Sequence, residues 1–140
     1  MTVPMILLPV FVLVAQIFAL SFWMGYERNK VIYTKEVRIK DIALSKEPWP
    51  ERPKQISNAY HNQYELPVLF FVLVAFAMIT RKADLIFVVL SWVFVISRIV
   101  HAFIHTTTNR VPRRFFAYVV GLFTLAIMWA YFAVQILAGV

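Results

Sequence analysis

The chain has 140 residues, of which 61% are hydrophobic, whereas soluble domains are about 45–50% apolar, so the composition excludes an ordinary soluble globular protein. The formal net charge is +7, but the basic residues lie between apolar segments and not along one amphipathic face, which argues against nucleic-acid binding and for a membrane topology. Cysteine is absent, which excludes a disulfide framework, a thiolate metal site and a cysteine nucleophile.

Four apolar segments predict an all-α membrane protein, a four-helix transmembrane bundle in a single domain of residues 1–140. Each segment is long enough to cross a hydrocarbon core of about 30 Å at roughly 1.5 Å per residue, and none alternates polar and apolar residues as barrel strands do. The first segment has no basic region before it and no small-residue cleavage pattern after it, so we interpret it as a retained span. The predicted spans are residues 3–26, 60–80, 85–105 and 115–137.

The connections between the spans predict the orientation in the bilayer. Eleven basic residues lie in the first and third connections and two in the short second connection. The positive-inside rule therefore places the first and third connections in the cytoplasm and both termini on the opposite side of the membrane. The first connection, residues 27–57, is interpreted either as a solvated connector or as a lid or partner-docking surface, and a short surface helix is predicted over residues 35–44.

Polar residues of the second span and its cytoplasmic extension share one helical face. Asn58, Asn62 and Glu65 stand at positions i, i+4 and i+7, which places them on the same side of an α-helix. Pro67 follows two residues after Glu65 and removes a backbone donor, so we expect the helix to bend beside this group. Charged groups are rarely kept in a span without a partner or a function.

The third span carries a matching set. Arg98, His101 and His105 stand at positions i, i+3 and i+7, again on one face. Glu65 and Arg98 are both predicted to lie about 8–11 Å below the cytoplasmic end of their spans, so the two charges can meet. One interpretation is an interhelical ion pair that only fixes helix register. The other is a pocket for a polar, anionic ligand, which the number of polar groups favours.

Two further readings of the polar residues stay open. Arg113 and Arg114 open the fourth span and either anchor lipid phosphates or turn one guanidinium inward to a carboxylate of a ligand. His101, His105 and Glu65 are residue types that can bind a divalent metal, but the positive charge of Arg98 on the same face would repel a cation, so no metal is predicted.

These residues resemble the MAPEG family, the membrane-associated proteins in eicosanoid and glutathione metabolism, and in particular its bacterial members. The resemblance covers nearly the whole chain. It rests on the four spans, the long first connection, and three segments: Asn62-Gln63-Tyr64-Glu65-Leu66-Pro67-Val68-Leu69-Phe70, Arg98-x-x-His101-x-x-x-His105, and Asn109 to Phe116.

The resemblance implies a left-handed four-helix bundle that assembles as a homotrimer and binds glutathione between neighbouring subunits near the cytoplasmic side. It implies that Asn62 and Glu65 bind the ligand, with Glu65 on its amino group, and that Arg98 contributes a cation. Tyrosines of the family would fall at His101 and His105. The family's thiol-activating arginine would correspond to Arg113 or Arg114.

Some positions depart from the family pattern. Family enzymes usually carry an arginine where this chain has Asn58, and tyrosines where it has His101 and His105, so the resemblance implies the fold more strongly than the activity. The sequence leaves open whether the chain is an enzyme. The hypotheses are a glutathione-dependent transferase or peroxidase in a bacterial inner membrane, a non-catalytic scaffold or accessory subunit of a larger membrane complex, and a proton-coupled transporter that uses Glu65.

Overall fold

The part of the chain that the structure describes is a helical bundle with four candidate membrane spans, the second of which, Glu51–Ile79, is made of more than one helix. A computed structural model describes residues 1–43 and 48–140 of the chain. In this structure the α-helices in chain order are α1 (Val3–Tyr33), α2 (Ile39–Ile42), α3 (Glu51–His61), α4 (Leu66–Ile79), α5 (Leu85–Thr106) and α6 (Val111–Leu137). The fold class predicted from hydropathy, a four-transmembrane-helix protein, is therefore confirmed.

Helix α1 is longer than the predicted span of residues 3–26. Its 31 residues extend about 46 Å at roughly 1.5 Å per residue, which is about three turns longer than a hydrocarbon core of about 30 Å. The last two turns carry charged residues such as Glu27 and Arg28. The first connection is correspondingly shorter than predicted, because α1 continues to Tyr33 and α3 already begins at Glu51.

The second span is interrupted, where the sequence predicted only a bend at Pro67. The α-helix α3 ends at His61, a turn of 3-10 helix covers Asn62–Tyr64, and α4 starts at Leu66. Glu65 lies at the break with φ −97° and ψ −102°. Pro67 occupies the first turn of α4, where its missing N–H leaves no intrahelical hydrogen bond unmade. The proline thus begins a new helix, and the polar face of the span is divided between two elements.

The third and fourth spans follow the predictions with one shift. Helix α5 begins where predicted, and the Asp84 carboxylate caps it by accepting a hydrogen bond from the Phe87 N–H at 2.9 Å. Helix α6 begins four residues earlier than predicted, so Arg113 and Arg114 belong to its first turn and not to the preceding loop. The surface helix predicted over residues 35–44 is the single turn α2, and Leu44 lies outside the described residues.

The core of the bundle is aromatic and aliphatic. Phe70 of α4 stacks on Phe94 of α5 with ring centroids 4.8 Å apart, and both are fully buried together with Leu13 of α1 and Met128 of α6. Gly121 lets α6 approach α5 closely, since a Cβ atom at this position would lie 2.8 Å from Ser97 Oγ. Tight packing of this kind is what holds helices together in lipid, where burial of apolar surface gives no advantage.

Two arginine–tryptophan pairs join α3 and the residues just before it to the second half of α1. The guanidinium of Arg28 lies 5.0 Å from the ring centre of Trp49, and that of Arg52 lies 5.0 Å from the ring centre of Trp23. Arg52 also donates a hydrogen bond of 2.5 Å to the carbonyl of Thr106 at the end of α5. These contacts fix the amphipathic α3 against α1 and α5, and so set the position of the polar residues that follow it.

Candidate functional site

A polar pocket of about 510 Å³ opens where the break between α3 and α4 meets the end of α5 and the start of α6. The volume lies within the range of about 300–1,000 Å³ typical of small-molecule sites. The pocket is lined by Asn58, His61, Asn62, Glu65, His101, His105, Val111, Arg114, Phe115 and Tyr118.

The structure brings together most of the residues that the sequence pattern singled out. Six of the eight line the pocket, and two do not: Arg98 lies behind the pocket wall and Arg113 lies on another face of α6. The sequence missed His61, which a continuous helical wheel places about 100° away from Asn62. The spacing of His61 to Asn58, three residues earlier on α3, is the signal that could have found it.

Tyr118 was also missed, although a signal for it exists in the sequence. It stands four residues after Arg114 on the predicted fourth span, which puts both side chains on one helical face. The Tyr118 ring lies 6.1 Å from that of His101. The polar face of the fourth span could therefore have been recognised from the spacing alone.

Asn62 is the central residue of the polar network. In the orientation that gives partners to both amide atoms, the Asn62 nitrogen donates a hydrogen bond to Glu65 Oε2 at 3.0 Å. The Asn62 oxygen accepts hydrogen bonds from Arg98 Nη2 at 3.2 Å and from His101 Nδ1 at 3.2 Å. Such an assignment follows from the hydrogen-bond network around the amide. One side chain from the 3-10 turn thus connects the carboxylate at the helix break with two residues of α5.

The expected direct contact between Glu65 and Arg98 is absent. Within the described residues 1–43 and 48–140, no nitrogen of Arg98 lies within 4.0 Å of a Glu65 carboxylate oxygen, and the ion pair found is that of Arg52 with Glu27. The break in the second span explains the difference, because it turns the Glu65 side chain outward, where it is exposed to solvent. The carboxylate is therefore available to a ligand and is not neutralised by an internal ion pair.

Arg98 is completely buried in the protomer, with 0% of its surface exposed. Its Nη2 bonds to Asn62, while its Nε and Nη1 have no hydrogen-bond partner among the described residues. Buried donors that lack partners are costly, and a buried charge more so. Arg98 therefore acts on the pocket through Asn62 and through its positive charge, and not through direct exposure to the pocket.

The two histidines of α5 line the pocket one above the other. Their rings meet edge to face with centroids 5.7 Å apart. The Nδ1 atom of His105 is buried and has no partner among the described residues, while the backbone carbonyl of His105 accepts a hydrogen bond of 2.8 Å from Gln55 of α3. The contact from Gln55 holds the end of α5 against α3 on the side where the pocket opens.

Arg114 supplies the cation that reaches the pocket. It is half-buried and its Nη1 donates a hydrogen bond of 2.6 Å to Asn109 Oδ1. Asn109 has a φ of +51°, a conformation that asparagine tolerates better than most residues. The turn before α6 thus fixes the guanidinium at the edge of the pocket.

The chemistry of the lining suits a ligand that carries both signs of charge. The exposed carboxylate of Glu65 is suited to bind an ammonium group. The side chains of Arg114 and of the pocket histidines and asparagines can donate hydrogen bonds to the carboxylates of a ligand. No group of three or more His, Asp or Glu side chains in the described part of the chain is placed to hold a metal ion together.

Comparison with known proteins identifies one family. The model of the MAPEG family matches residues 6–134, which includes every residue of the pocket lining and all four spans except three residues at the start of α1 and three at the end of α6. No curated protein and no solved structure matches the chain.

Proposed function

Because this chain belongs to the MAPEG family of membrane proteins, we propose that it is a glutathione-dependent transferase or peroxidase that acts on lipophilic electrophiles. The observation that carries the proposal is the solvent-exposed carboxylate of Glu65, held by Asn62 in a polar pocket that also contains Arg114. A carboxylate without an ion-pair partner and an arginine in the same pocket suit a substrate with an ammonium group and carboxylates.

In this proposal the pocket residues divide the charges of glutathione between them. Glu65 binds the ammonium group, and its position is set by the hydrogen bond from Asn62. His105 and Asn58 donate hydrogen bonds to the carboxylates. Arg114 lies near the thiol, where a positive charge favours the thiolate and lowers its pKa, and the thiolate is the nucleophile.

The transferase step needs no further reactant. The thiol proton leaves to water, the sulfur electron pair forms the new carbon–sulfur bond, and the leaving group departs with the electrons of the bond that breaks. In the peroxidase variant two glutathione molecules supply two electrons to a hydroperoxide and become a disulfide, with an alcohol and water as products. Arg114 stabilises the anionic sulfur in both reactions.

The second substrate would reach the pocket from the bilayer. Val111 and Phe115 line the pocket and are 61% and 64% exposed on the outside of α6, so the pocket has an apolar edge toward lipid. With the first and third connections in the cytoplasm of a bacterial inner membrane, the polar opening would face the cytoplasmic pool of glutathione. The family also suggests a homotrimer, in which a neighbouring subunit would lie near this edge.

The experiment compares Glu65→Gln with Glu51→Gln, a control that removes an exposed carboxylate from the first turn of α3 outside the pocket. Purified protein is assayed with glutathione and a chromogenic electrophile. Loss of a charged hydrogen bond of about 1.5–3 kcal/mol predicts a fall in kcat/KM of about 10- to 150-fold for Glu65→Gln and none for the control. Full activity in Glu65→Gln would refute the assignment of the site.

A thermal-shift measurement tests binding separately from turnover. Glutathione that binds only the folded protein must raise its unfolding temperature. A rise in the wild type that is lost in Glu65→Gln supports the proposed pocket, and the absence of any rise in the wild type contradicts it.

The burial of Arg98 favours a second candidate, a non-catalytic scaffold or an accessory subunit of a larger membrane complex. With this arginine behind the wall, Arg114 is the arginine that lines the pocket, which weakens the capture of a ligand with two carboxylates. Glutathione binding without turnover, together with a larger complex after gentle solubilisation, would favour this alternative.

A further inference from the structure

Two consecutive arginines at the start of α6 serve different faces of the helix. Arg114 lines the polar pocket, whereas Arg113 is exposed, lies outside the pocket and makes no hydrogen bond or ion pair with the described residues. Neighbouring residues on an α-helix point about 100° apart. The side chain of Arg113 is therefore directed toward a different side of α6 from that of Arg114.

That side carries an apolar groove between α5 and α6. Its volume is about 330 Å³, and it is lined by Val93, Ile96, Ser97, Val100, Phe116, Ala117 and Val120. Ser97 offers no free donor there, because its hydroxyl donates to the carbonyl of Phe94 at 2.6 Å. The rim is open to the surroundings, with Ile96 55% and Phe116 71% exposed.

Arg113 stands at the end of this groove. It precedes Phe116 by three residues and Ala117 by four, so it lies on the same face of α6 one turn closer to the polar end of the helix. Arg110, three residues earlier still, is also exposed and without a partner among the described residues. The first turn of α6 contains no acidic residue to neutralise these cations.

We propose that the apolar groove between α5 and α6 is a binding site for an anionic phospholipid. An acyl chain would lie in the groove and the phosphate would bind to Arg113 and Arg110. An apolar channel below two cations at the level of the headgroups matches the two ends of such a lipid. An apolar helix of another subunit would fit less well, because it would cover Arg113 without supplying an anion, and an unpaired buried charge is costly.

The test uses the whole 140-residue chain in a mild non-ionic detergent and native mass spectrometry with phosphatidylglycerol or phosphatidylcholine of identical acyl chains. We expect the wild type to retain phosphatidylglycerol preferentially. Arg113→Gln should weaken retention of the anionic lipid about fivefold, as expected for one cation near the headgroups. Arg38→Gln, which removes an exposed arginine before α2, should leave retention unchanged.

A second pair of variants tests the groove itself. Ile96→Trp fills the groove from its rim and should reduce retention of both lipids, while Ile99→Trp places the same ring on α5 outside the groove and should not. Equal retention of the two lipids by the wild type, or equal behaviour of Arg113→Gln and Arg38→Gln, would overturn the proposal. So would an Ile96→Trp protein that keeps its lipid but loses its oligomeric mass, since a second copy would then occupy the groove.

Discussion

Substitution of Gly121 tests how closely α5 and α6 must approach beside the buried Arg98. A Cβ atom at residue 121 would lie 2.8 Å from Ser97 Oγ, 3.8 Å from the Phe94 ring and 3.7 Å from Arg98 Cδ. Only the first distance is shorter than van der Waals contact. The Ser97 hydroxyl would have to turn away and give up its hydrogen bond to the Phe94 carbonyl, or the two helices would have to separate.

Two opposing effects set the change in the free energy of unfolding that we expect for Gly121→Ala. Overpacking costs about 1–3 kcal/mol, which includes the hydrogen bond lost at Ser97. Replacing glycine by alanine inside a helix returns about 0.5–1 kcal/mol. We therefore expect Gly121→Ala to lower the free energy of unfolding by about 0–2.5 kcal/mol. Gly25→Ala is the matched control, because nothing lies within 4 Å of its added Cβ, and it should be neutral or slightly stabilising.

A double-mutant cycle in reversible detergent unfolding identifies the contact responsible. Ser97→Ala removes the clashing oxygen, so Gly121→Ala should cost nothing in the Ser97→Ala background, and the coupling between the two sites should be about 1 kcal/mol or more. Additive effects of the two substitutions, within about 0.5 kcal/mol, would refute the inferred contact between Gly121 and Ser97.

Two further predictions concern polar contacts in the spans, both measured as the free energy of unfolding. Asn62→Leu keeps the volume but removes the one hydrogen bond that the Arg98 guanidinium makes with the described residues, so it should destabilise the protein by about 1–3 kcal/mol and weaken binding of glutathione. Gln16→Leu removes the 3.0 Å hydrogen bond from Gln16 Nε2 to Gln63 Oε1 and should cost about 0.6–2 kcal/mol, since interhelical hydrogen bonds in lipid are of this size.

Matched variants separate these predictions from general loss of structure. Asn58→Leu makes the same change at an exposed asparagine of α3 and should alter stability by less than about 0.5 kcal/mol. Equal free energies of unfolding for Asn62→Leu and Asn58→Leu would contradict the bridging role of Asn62.

Replacing Gln16 and Gln63 together should lower the free energy of unfolding by less than the sum of the single changes, because no buried partner is left unpaired. Strict additivity of the two changes would exclude a direct hydrogen bond between Gln16 and Gln63.

Much of the fold can be predicted from local properties of the sequence. Hydropathy predicts four spans because each segment must satisfy its own backbone hydrogen bonds in lipid, and α5 follows the prediction to within a residue. The end of α1 and the start of α6 were less well predicted, since both helices continue into polar sequence that hydropathy assigns to the connections.

The candidate site was predicted in composition but not in arrangement. Helical spacing grouped Asn62, Glu65 and His101 because residues three, four or seven apart share a face. It also predicted a direct meeting of Glu65 with Arg98, which holds only while the second span is one continuous helix. The 3-10 turn breaks that helix, so Glu65 faces outward and Asn62 takes its place beside Arg98.

The sequence by itself determined that this is a helical membrane protein with polar residues in its second and third spans, because the cost of charges and unpaired backbone groups in lipid acts locally. Only the tertiary structure decided how the two adjacent arginines of α6 are used. Arg114 lines the polar pocket and Arg113 does not, and this difference depends on which helices flank α6. A step of about 100° along a helix separates the two side chains, but the neighbours that each one meets come from distant parts of the chain.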